Sequence, residues 1–372
     1  MKYVGIDLHS NRFNICIIND DNTRKFLGFD LTGAGLKTFI KYLDKETFVM
    51  VEASTNTFRF VERIRDYANE VYVANTHKLK LISLVKKKTD KIDAEKLAIF
   101  LKMQITSGEK IIEPVHIPER IIQNLRSLFS TYKLIKRHIA GIKNRIHSLY
   151  KQELYPFTKE YIFGKKTRIK LRSINISPVV DYQLDLLFDS LEDKENEIKR
   201  LKDYIMHLSG PYIDKIEILT SMKGISIFTA IALIADISEI KRFKSSKKLS
   251  SYLRSAPGVD ISNETVINLR TNKYGRKLSI TLISQSLNHF RDSNPRVRKW
   301  YDEKVEQKKP KGKIRMAICR KVFTEIYQML KKKEYHYYRD EKNHLSKIEK
   351  YKRFLNNYKA DKKYEYFSEK CT

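Results

Sequence analysis

Four carboxylates in the first hundred residues have the residue types and spacing of a metal site. Asp7 and Glu52 each end an apolar run, and Asp90 and Asp93 lie three residues apart where the pattern predicts the start of a helix. Residues i and i+3 share a helix face. Any one of these acids alone is more often a solvated side chain. The four together predict a cage for Mg²⁺, whose preferred ligands are carboxylate oxygens and which binds phosphate alongside them.

The chemistry of such a cage is the cleavage and transfer of phosphodiesters. Two ions about 4 Å apart can clamp a phosphodiester during in-line displacement. We therefore expect a pair of Mg²⁺ ions held by the four acids.

The charge of the chain indicates a polyanionic partner. There are 74 Lys+Arg and 44 Asp+Glu residues, which give a net charge of +30. Residues 1–110 hold 19 basic and 14 acidic residues, a net of +5, so the remaining 262 residues carry +25. Each phosphate that a cation neutralises releases condensed counterions, which favours nucleic-acid binding. The 22 Tyr and 18 Phe include candidates for stacking on unpaired bases, although most are expected in the core.

The composition argues against a membrane protein and against a disulfide scaffold. No run of about 18 apolar residues predicts a transmembrane helix, and we find neither a basic amphipathic helix nor a lipid signal. The three cysteines, Cys16, Cys319 and Cys371, have no metal or disulfide spacing. With no signal-peptide pattern at the N-terminus, we expect a cytoplasmic protein that associates with the nucleoid when active.

Residues 1–110 alternate strand and helix signals. Strand-like runs occur at 3–6, 13–18, 25–31, 48–51 and 71–74, with helical patterns at 36–43 and 58–67. The first three runs predict an antiparallel meander, and the later order predicts an α/β sheet with helices on its faces. This order matches the ribonuclease H-like fold, in which the first strand and a later parallel strand bring acids together.

Two long heptad patterns follow, and they predict coiled-coil helices that pair with each other or with a partner subunit. Their apolar positions are Leu125, Leu128, Tyr132, Ile135, Ile139, Ile142, Ile146 and Leu149, then Leu184, Leu187, Leu191, Ile198, Leu201, Ile205 and Leu208, with Lys194 as the single polar interruption. The connector between the helices is basic. We interpret its Lys165, Lys166 and Arg168 as nucleic-acid contacts, with a solvated loop as the alternative.

From residue 210 the pattern predicts a compact, mostly helical domain. Residues 219–235 resemble a helix-hairpin-helix, in which a glycine-bearing turn presents backbone N–H groups to phosphate, with Ser226 in place of the usual second glycine. After residue 339 the chain is charged and tyrosine-rich, which predicts a helical or partly disordered tail. The expected domains are therefore 1–110, 111–209, 210–338 and 339–372.

These motifs together resemble the bacterial insertion-sequence transposases with a DEDD acidic tetrad, the IS110 family, which includes Piv-like DNA invertases. The resemblance extends from residue 1 to about 337. It rests on VGIDLH at 4–9, VEA at 51–53, KTDKIDA at 88–94, NRI at 144–146, MKGI at 222–225, IKRFKS at 240–245, YLRSAPG at 252–258, Ser262, NKY at 272–274, CRKVF at 319–323 and YQMLK at 327–331.

The resemblance implies a transposase with a RuvC-like N-terminal domain and a C-terminal serine transposase domain. In it the tetrad holds Mg²⁺, and a serine attacks a DNA phosphate to give a phosphoserine link. That serine falls on Ser262, where residue 263 is Asn in place of the family's glycine, and Ser255 is its local competitor. Arg254, Arg270, Lys273 and Arg276 flank the segment and are expected to hold the scissile phosphate. The resemblance also implies a structured guide RNA.

Three other hypotheses for the function remain open. A RuvC-like junction endonuclease would share the four acids and use water in place of a serine. An actin-like ATPase or sugar kinase is weakly suggested by the residues 5–10, but Asn11-Arg12 and the lack of a second glycine-rich loop disfavour it. A non-catalytic nucleic-acid-binding protein is disfavoured by the complete tetrad. Because exchange of two strands requires two or more active sites, we expect a homo-oligomer, a dimer or a tetramer.

Overall fold

The structure is a computed structural model that describes residues 1–75, 90–155, 163–262, 265–271 and 274–358. For Lys165 and for residues 258–262 and 265–271, only the backbone is described. The chain divides into two compact units, Met1–Ile117 and Pro118–Thr372. The expected boundary near residue 110 is close to this division, while the further division of the C-terminal part stays a prediction.

The first unit is built on a five-stranded mixed sheet. Its strands are β1 Lys2–Leu8, β2 Arg12–Asn19, β3 Arg24–Asp30, β4 Thr47–Glu52 and β5 Glu70–Ala74. They lie in the order β3-β2-β1-β4-β5. The first three form the antiparallel meander expected from the sequence, and β4 and β5 continue parallel to β1. The topology is consistent with the RuvC-like, ribonuclease H-like fold.

Helices cover both faces of this sheet. They are α1 Gly33–Ile40, α2 Thr57–Ile64 and α3 Asp90–Ser107. Side chains alternate along a strand, so Val4 and Ile6 of β1 belong to the apolar cluster that includes Phe39 of α1 and Phe60 of α2. Tyr3 of β1 belongs to the cluster on the other face, with residues of α3.

The contact between α3 and β1 is a contact of backbones. A Cβ atom on Gly5 would lie 2.1 Å from the carbonyl oxygen of Ala94 and 2.3 Å from the amide nitrogen of Ala98. Both alanines are fully buried. Because none of these three residues has a side chain larger than a methyl group, the helix can approach the strand closely, and the start of α3 is fixed beside the end of β1.

The second unit is mostly helical, as expected. Its helices are α4 Arg120–Gln152, α5 Lys165–Arg172, α6 Pro178–Leu208, α7 Ile213–Thr220, α8 Ile227–Ile237, α9 Ser246–Tyr252, α10 Leu278–Ser293, α11 Pro295–Glu306, α12 Lys311–Lys332 and α13 Glu341–Asn357. It also contains one feature that the sequence pattern did not predict, an antiparallel hairpin of β6 Pro257–Ser262 and β7 Thr265–Thr271.

The two long helices α4 and α6 pack against each other within the chain. Their shared apolar cluster contains Ile139 and Ile146 of α4 and Leu184 and Leu191 of α6. The deeply buried heptad positions of α6 recur every seven residues, at Leu184, Leu191, Ile198 and Ile205. Of the two pairings that the heptads allowed, the structure thus contains the intramolecular one, and a strict coiled-coil geometry stays a prediction.

Helix α8 forms the centre of the second unit. Residues 230–235 are at most 2% exposed, and a helix that is apolar on all sides belongs in a core. It follows α7 through a turn in which Gly224 has a φ of +94° and the Ser226 hydroxyl accepts a hydrogen bond from the Thr229 amide. Two helices joined by a glycine turn thus occupy these residues, while the helix-hairpin-helix motif and its phosphate-binding role stay predictions.

The C-terminal segment includes an ordered helix that contributes to this core. Tyr351 of α13 is 1% exposed, and its hydroxyl donates to the carbonyl oxygen of Met206 at 2.9 Å. The helical alternative for the tail is thus confirmed for Glu341–Asn357, and the rest of the predicted tail, from 359 onward, lies outside the described residues. Among the helices described, none combines the length and apolarity needed to cross a bilayer.

We predict that Gly5→Ala destabilises the first unit. The added methyl group meets backbone atoms of α3, which cannot rotate away, so the helix must shift. Overpacking of this kind costs about 1–3 kcal/mol. Urea unfolding should show that loss for Gly5→Ala and none for the control Gly33→Ala, whose added Cβ has no atom within 4 Å. Equal stability of the two variants would contradict the close contact between α3 and β1.

Candidate active site

Asp7 and Glu52 meet at one edge of the sheet. Ile6 pairs with Val51 across the parallel strands β1 and β4, so the acids that follow them in each strand are neighbours. Alternation along the strands directs both acids to the face that α3 covers. The hydroxyl of Thr57 donates to the carbonyl oxygen of Glu52 at 2.7 Å, which fixes the end of β4.

Asp90, in the first turn of α3, comes close to Asp7 with His9 between them. His9 Nε2 lies 3.1 Å from Asp7 Oδ2 and 3.5 Å from Asp90 Oδ2. One ligand atom from each of the three residues lies within 4.8 Å of the others. Asp7 is buried whereas His9 and Asp90 are exposed, so the cluster opens to solvent on one side.

The charges of the other acids act on Asp7. Burial raises the pKa of the Asp7 carboxyl above its ordinary value, and the negative charges of Asp90, Asp93 and Glu52 raise it further, while His9 lowers it. The other three acids of the predicted tetrad are therefore close enough to Asp7 to act on it. Such a group of like charges at a partly buried position is costly without a cation, and perturbed pKa values of this kind cluster at functional sites.

Sequence reasoning did not single out His9 and Asn14 as site residues. His9 follows β1 directly, two residues after Asp7, and this adjacency was the available signal. Asn14 pairs with Asp7 across the β1–β2 hairpin and donates from Nδ2 to Asp90 Oδ2 at 3.3 Å. Its place depends on the strand register, which the residue types alone did not reveal. Asp93 forms an ion pair with Lys96 at 3.4 Å.

The two candidate serines of the second unit lie in different surroundings. Ser262 is the last residue of β6, pairs with Thr265 of β7, and thus lies at the turn end of the hairpin; its side chain is outside the described part. Ser255 is fully buried, and its hydroxyl donates to the carbonyl oxygen of Ser250 at 2.9 Å. A hydroxyl held in this way has no access to a DNA phosphate.

The base of the hairpin is held by backbone contacts. Arg254, whose φ is +59°, donates from Nε to the carbonyl oxygen of Gly275 at 2.6 Å. Gly275 has a φ of +103°, and a Cβ there would lie 2.2 Å from the carbonyl oxygen of Tyr252. The Arg276 amide donates to that same carbonyl at 2.9 Å. The two ends of the hairpin are therefore fastened to the end of α9.

A buried carboxylate links the residues that follow the hairpin to the core of the second unit. Asp236 of α8 is 3% exposed and accepts from Arg276 Nε at 3.0 Å and from the Ser279 hydroxyl at 2.7 Å. Arg126 donates to the carbonyl oxygens of Ala235 and Asp236 at the end of α8. Burial lowers the pKa of Arg126 to about 10.

The other residues predicted to bind nucleic acid differ in their surroundings: one is exposed, one has partners within the protein, and the rest lie wholly or partly outside the described residues. In the connector, Lys166 is exposed, whereas Arg168 pairs with Glu195 at 2.8 Å and donates to the carbonyl oxygen of Phe163. Arg168 therefore has a structural partner as well as a positive charge. The side chains of Lys165 and Arg270, and all of Lys273, lie outside the described residues, so their contacts stay predictions.

The comparisons with known proteins agree with both parts of the chain. A family model for a DEDD transposase of the IS110 type matches residues 4–154. A second model, described as the transposase IS116/IS110/IS902 family, matches residues 216–302. The chain belongs to the IS110 family of DEDD transposases. The transposase is therefore an enzyme that acts in DNA transposition and recombination. A search of curated proteins found no match.

The residues at the sheet edge fit the divalent metal that membership of this family implies. Asp7 and Asp90 offer hard oxygen ligands, and the charge that they concentrate beside Glu52 and Asp93 would be compensated by a divalent cation. In the described structure, His9 contacts both carboxylates of the cluster. A nitrogen donor also suits Mn²⁺ or other transition metals, so the ligand set supports a divalent ion without selecting Mg²⁺.

We predict that Asp7→Asn stabilises the metal-free transposase and abolishes its stabilisation by metal. Because the pKa of Asp7 is raised in the folded state, its ionised form lowers the free energy of unfolding at neutral pH, and this loss disappears as the pH falls through the folded pKa towards the ordinary carboxyl range. Thermal unfolding without metal should therefore occur at a higher temperature in the variant.

The same measurement with added MgCl₂ or MnCl₂ tests the metal site. Binding to the native state alone raises the unfolding temperature of the unmodified protein, and Asp7→Asn should remove that increase. The control is Asp66→Asn, an exposed acid of the same unit, which should leave both results unchanged. A metal response that survives in Asp7→Asn would exclude Asp7 as a ligand.

Proposed function

We propose that this transposase cuts and rejoins the DNA of its insertion sequence with a Mg²⁺-binding tetrad and a serine nucleophile, guided by a structured RNA. The tetrad consists of Asp7, Glu52, Asp90 and Asp93, and the nucleophile is Ser262. The observation that supports this most directly is the meeting of Asp7 and Asp90 around His9, with the charges of the other two acids acting on Asp7.

The chemistry follows from these groups. A divalent ion bound by the tetrad would supply Lewis-acid stabilisation of the charge that develops on a reacting phosphate. Ser262 Oγ attacks the phosphorus, a phosphoserine bond forms, and the bond to one deoxyribose oxygen breaks, so that this sugar leaves as a free hydroxyl. The hydroxyl of another DNA end then attacks the phosphoserine and releases Ser262, which completes the strand exchange.

The choice of Ser262 is supported by the contrast with Ser255. Ser255 is buried and donates its hydroxyl proton to a backbone carbonyl, whereas Ser262 is the last residue of β6 and pairs with Thr265, the first residue of β7. A free serine hydroxyl is a weak nucleophile and requires activation by a base or a metal. The proposal therefore requires that the acids and the serine act on the same phosphate, within one chain or between subunits.

Cations near the hairpin complete the proposed site. Arg254 and Arg276 each donate through Nε to hold the base of the hairpin, and we propose that their Nη groups, together with Arg270 and Lys273, hold the scissile phosphate. Guanidinium groups fixed by structure before the reaction stabilise developing charge without reorganisation. The connector residues Lys165, Lys166 and Arg168 would contact a part of the nucleic acid other than the scissile phosphate.

The proposed guide RNA is supported by charge. Residues after 110 carry +25 of the net +30, a positive charge that suits the binding of an RNA as well as DNA. We propose that the protein acts in the cytoplasm as a homo-oligomer, because a full exchange joins two pairs of ends.

We predict that Asp90→Asn and Asp93→Asn each abolish recombination while leaving nucleic-acid binding within about twofold of the unmodified protein. Both substitutions remove one charge from the tetrad without changing side-chain volume. Recombination is measured on a donor and target plasmid pair with the element's RNA, and binding is measured by gel shift. The control Asp66→Asn should recombine normally. Normal recombination by either tetrad variant would remove that residue from the site.

We predict that Ser262→Ala binds nucleic acid but forms no covalent adduct with DNA. A labelled DNA substrate is trapped during reaction, and the linked peptide is mapped by mass spectrometry. Ser255→Ala is the matched control. It should lose about 1 kcal/mol of stability with its hydrogen bond and still form the adduct.

Other outcomes of this experiment would identify a different mechanism. An adduct on Ser255 or on a tyrosine would overturn the assignment of Ser262. Strand cleavage that requires the tetrad, continues in Ser262→Ala and gives no adduct would favour the RuvC-like endonuclease, in which water is the nucleophile.

A further inference from the structure

The second unit contains a cavity of about 960 Å³ that the proposed reaction does not use. It lies among α11, α12 and the segment that follows α12, and its lining includes Arg296, Trp300, Lys321 and Tyr337. Most of the lining lies beyond residue 302, where the second family model ends. Its volume is at the upper end of the range of small-molecule sites, so one nucleotide fits with space for the adjoining backbone.

Aromatic rings form one part of the lining. Trp300 is half-buried, whereas Tyr335 is 48% and Tyr337 is 92% exposed. Tyr337 and Tyr338 lie edge to face with 5.1 Å between their ring centroids. A tyrosine that exposes almost its whole surface contributes little to the core, and apolar rings of this kind offer faces on which a base can stack.

Cations form another part. The ammonium group of Lys321 lies 5.0 Å from the centroid of the Trp300 ring, and Arg296 and Lys332 also line the cavity. A cation above an aromatic ring is positioned to meet the phosphate of a nucleotide whose base stacks on a neighbouring ring.

The acids in the lining are already paired. Glu325 Oε2 lies 2.7 Å from Nε2 of His336, which is 6% exposed. Glu334 lies 3.8 Å from the ammonium group of Lys332. Pairing reduces the repulsion that these carboxylates would exert on an anion. It also leaves Glu325 as a polar group that can accept a hydrogen bond from a base edge.

We propose that this cavity holds an unpaired nucleotide of a single-stranded nucleic acid. Its base stacks on the exposed ring of Tyr337, in the cavity that Trp300 also lines, and its phosphates contact Arg296, Lys321 and Lys332. A base inside a duplex is already stacked and paired and is not available to these rings, so the site selects single strands. The inference rests on the proposed function in one respect, namely that the second unit binds nucleic acid.

The chain contains one tryptophan, so its fluorescence reports on this cavity alone. The full-length protein is titrated with octamers of thymidine and of uridine, and with a blunt DNA hairpin at the same phosphate concentration. We expect both single strands to quench Trp300 fluorescence to saturation and the hairpin to leave it nearly unchanged. The tighter of the two octamers distinguishes a DNA strand from an RNA strand as the occupant.

Substitutions test which residues form the site. Tyr337→Ala should weaken single-strand binding by roughly tenfold, the effect of losing one stacked base, and Arg296→Gln should weaken it several-fold. Both residues are exposed, so folding should be unaffected. Tyr182→Ala removes a tyrosine that is 68% exposed on α6, outside the cavity, and serves as the matched control.

The proposal is overturned if Trp300 fluorescence is not quenched, if the hairpin quenches it equally, or if Tyr337→Ala and Tyr182→Ala bind alike. These outcomes are separate from failure of the proposed reaction. Ser262→Ala should retain full quenching, and Tyr337→Ala should still form the protein–DNA adduct when its substrates are saturating.

Discussion

The close packing of α3 on β1 is the constraint on which the acidic site depends. Gly5 allows the backbone of α3 to approach at Ala94 and Ala98, and Ala94 lies one turn after Asp90. Since a helix rises 1.5 Å per residue, the contact at Ala94 fixes Asp90 beside the end of β1. A larger residue at position 5 would meet the backbone of α3, move the helix outward and separate Asp90 from Asp7.

The acidic site brings several negative charges together, and their repulsion lowers the stability of the first unit when no cation is bound. Asp7 is buried and lies near three other acids, so its pKa is raised. His9 and the amide group of Asn14 offset part of the repulsion by contacting the carboxylates. The first unit thus contains an unfavourable interaction that a bound divalent cation would relieve, which is how binding and stability become linked at a metal site.

The second unit holds its hairpin in a different way. The apolar helix α8 supplies a rigid centre, and the buried Asp236 at its end binds Arg276 and Ser279, which lie just after the hairpin. Together with the contact of Arg254 with Gly275, this network holds the base of the hairpin, where β6 begins and β7 ends. In the proposed mechanism, such rigidity at the base would restrict the positions that Ser262 can reach, as preorganised catalysis requires.

The sequence by itself determined most elements of the first unit and singled out the four acids as a candidate site, because strand alternation, apolar runs and an i, i+3 pair are local patterns. It also determined the long helices α4 and α6, whose heptads are local too. Tertiary structure alone decided that these helices pair within the chain and that His9 and Asn14 join the acids, since strand register and helix docking depend on distant residues. It alone showed that Ser255 is buried beneath its neighbours, because a side chain's exposure is set by what packs over it.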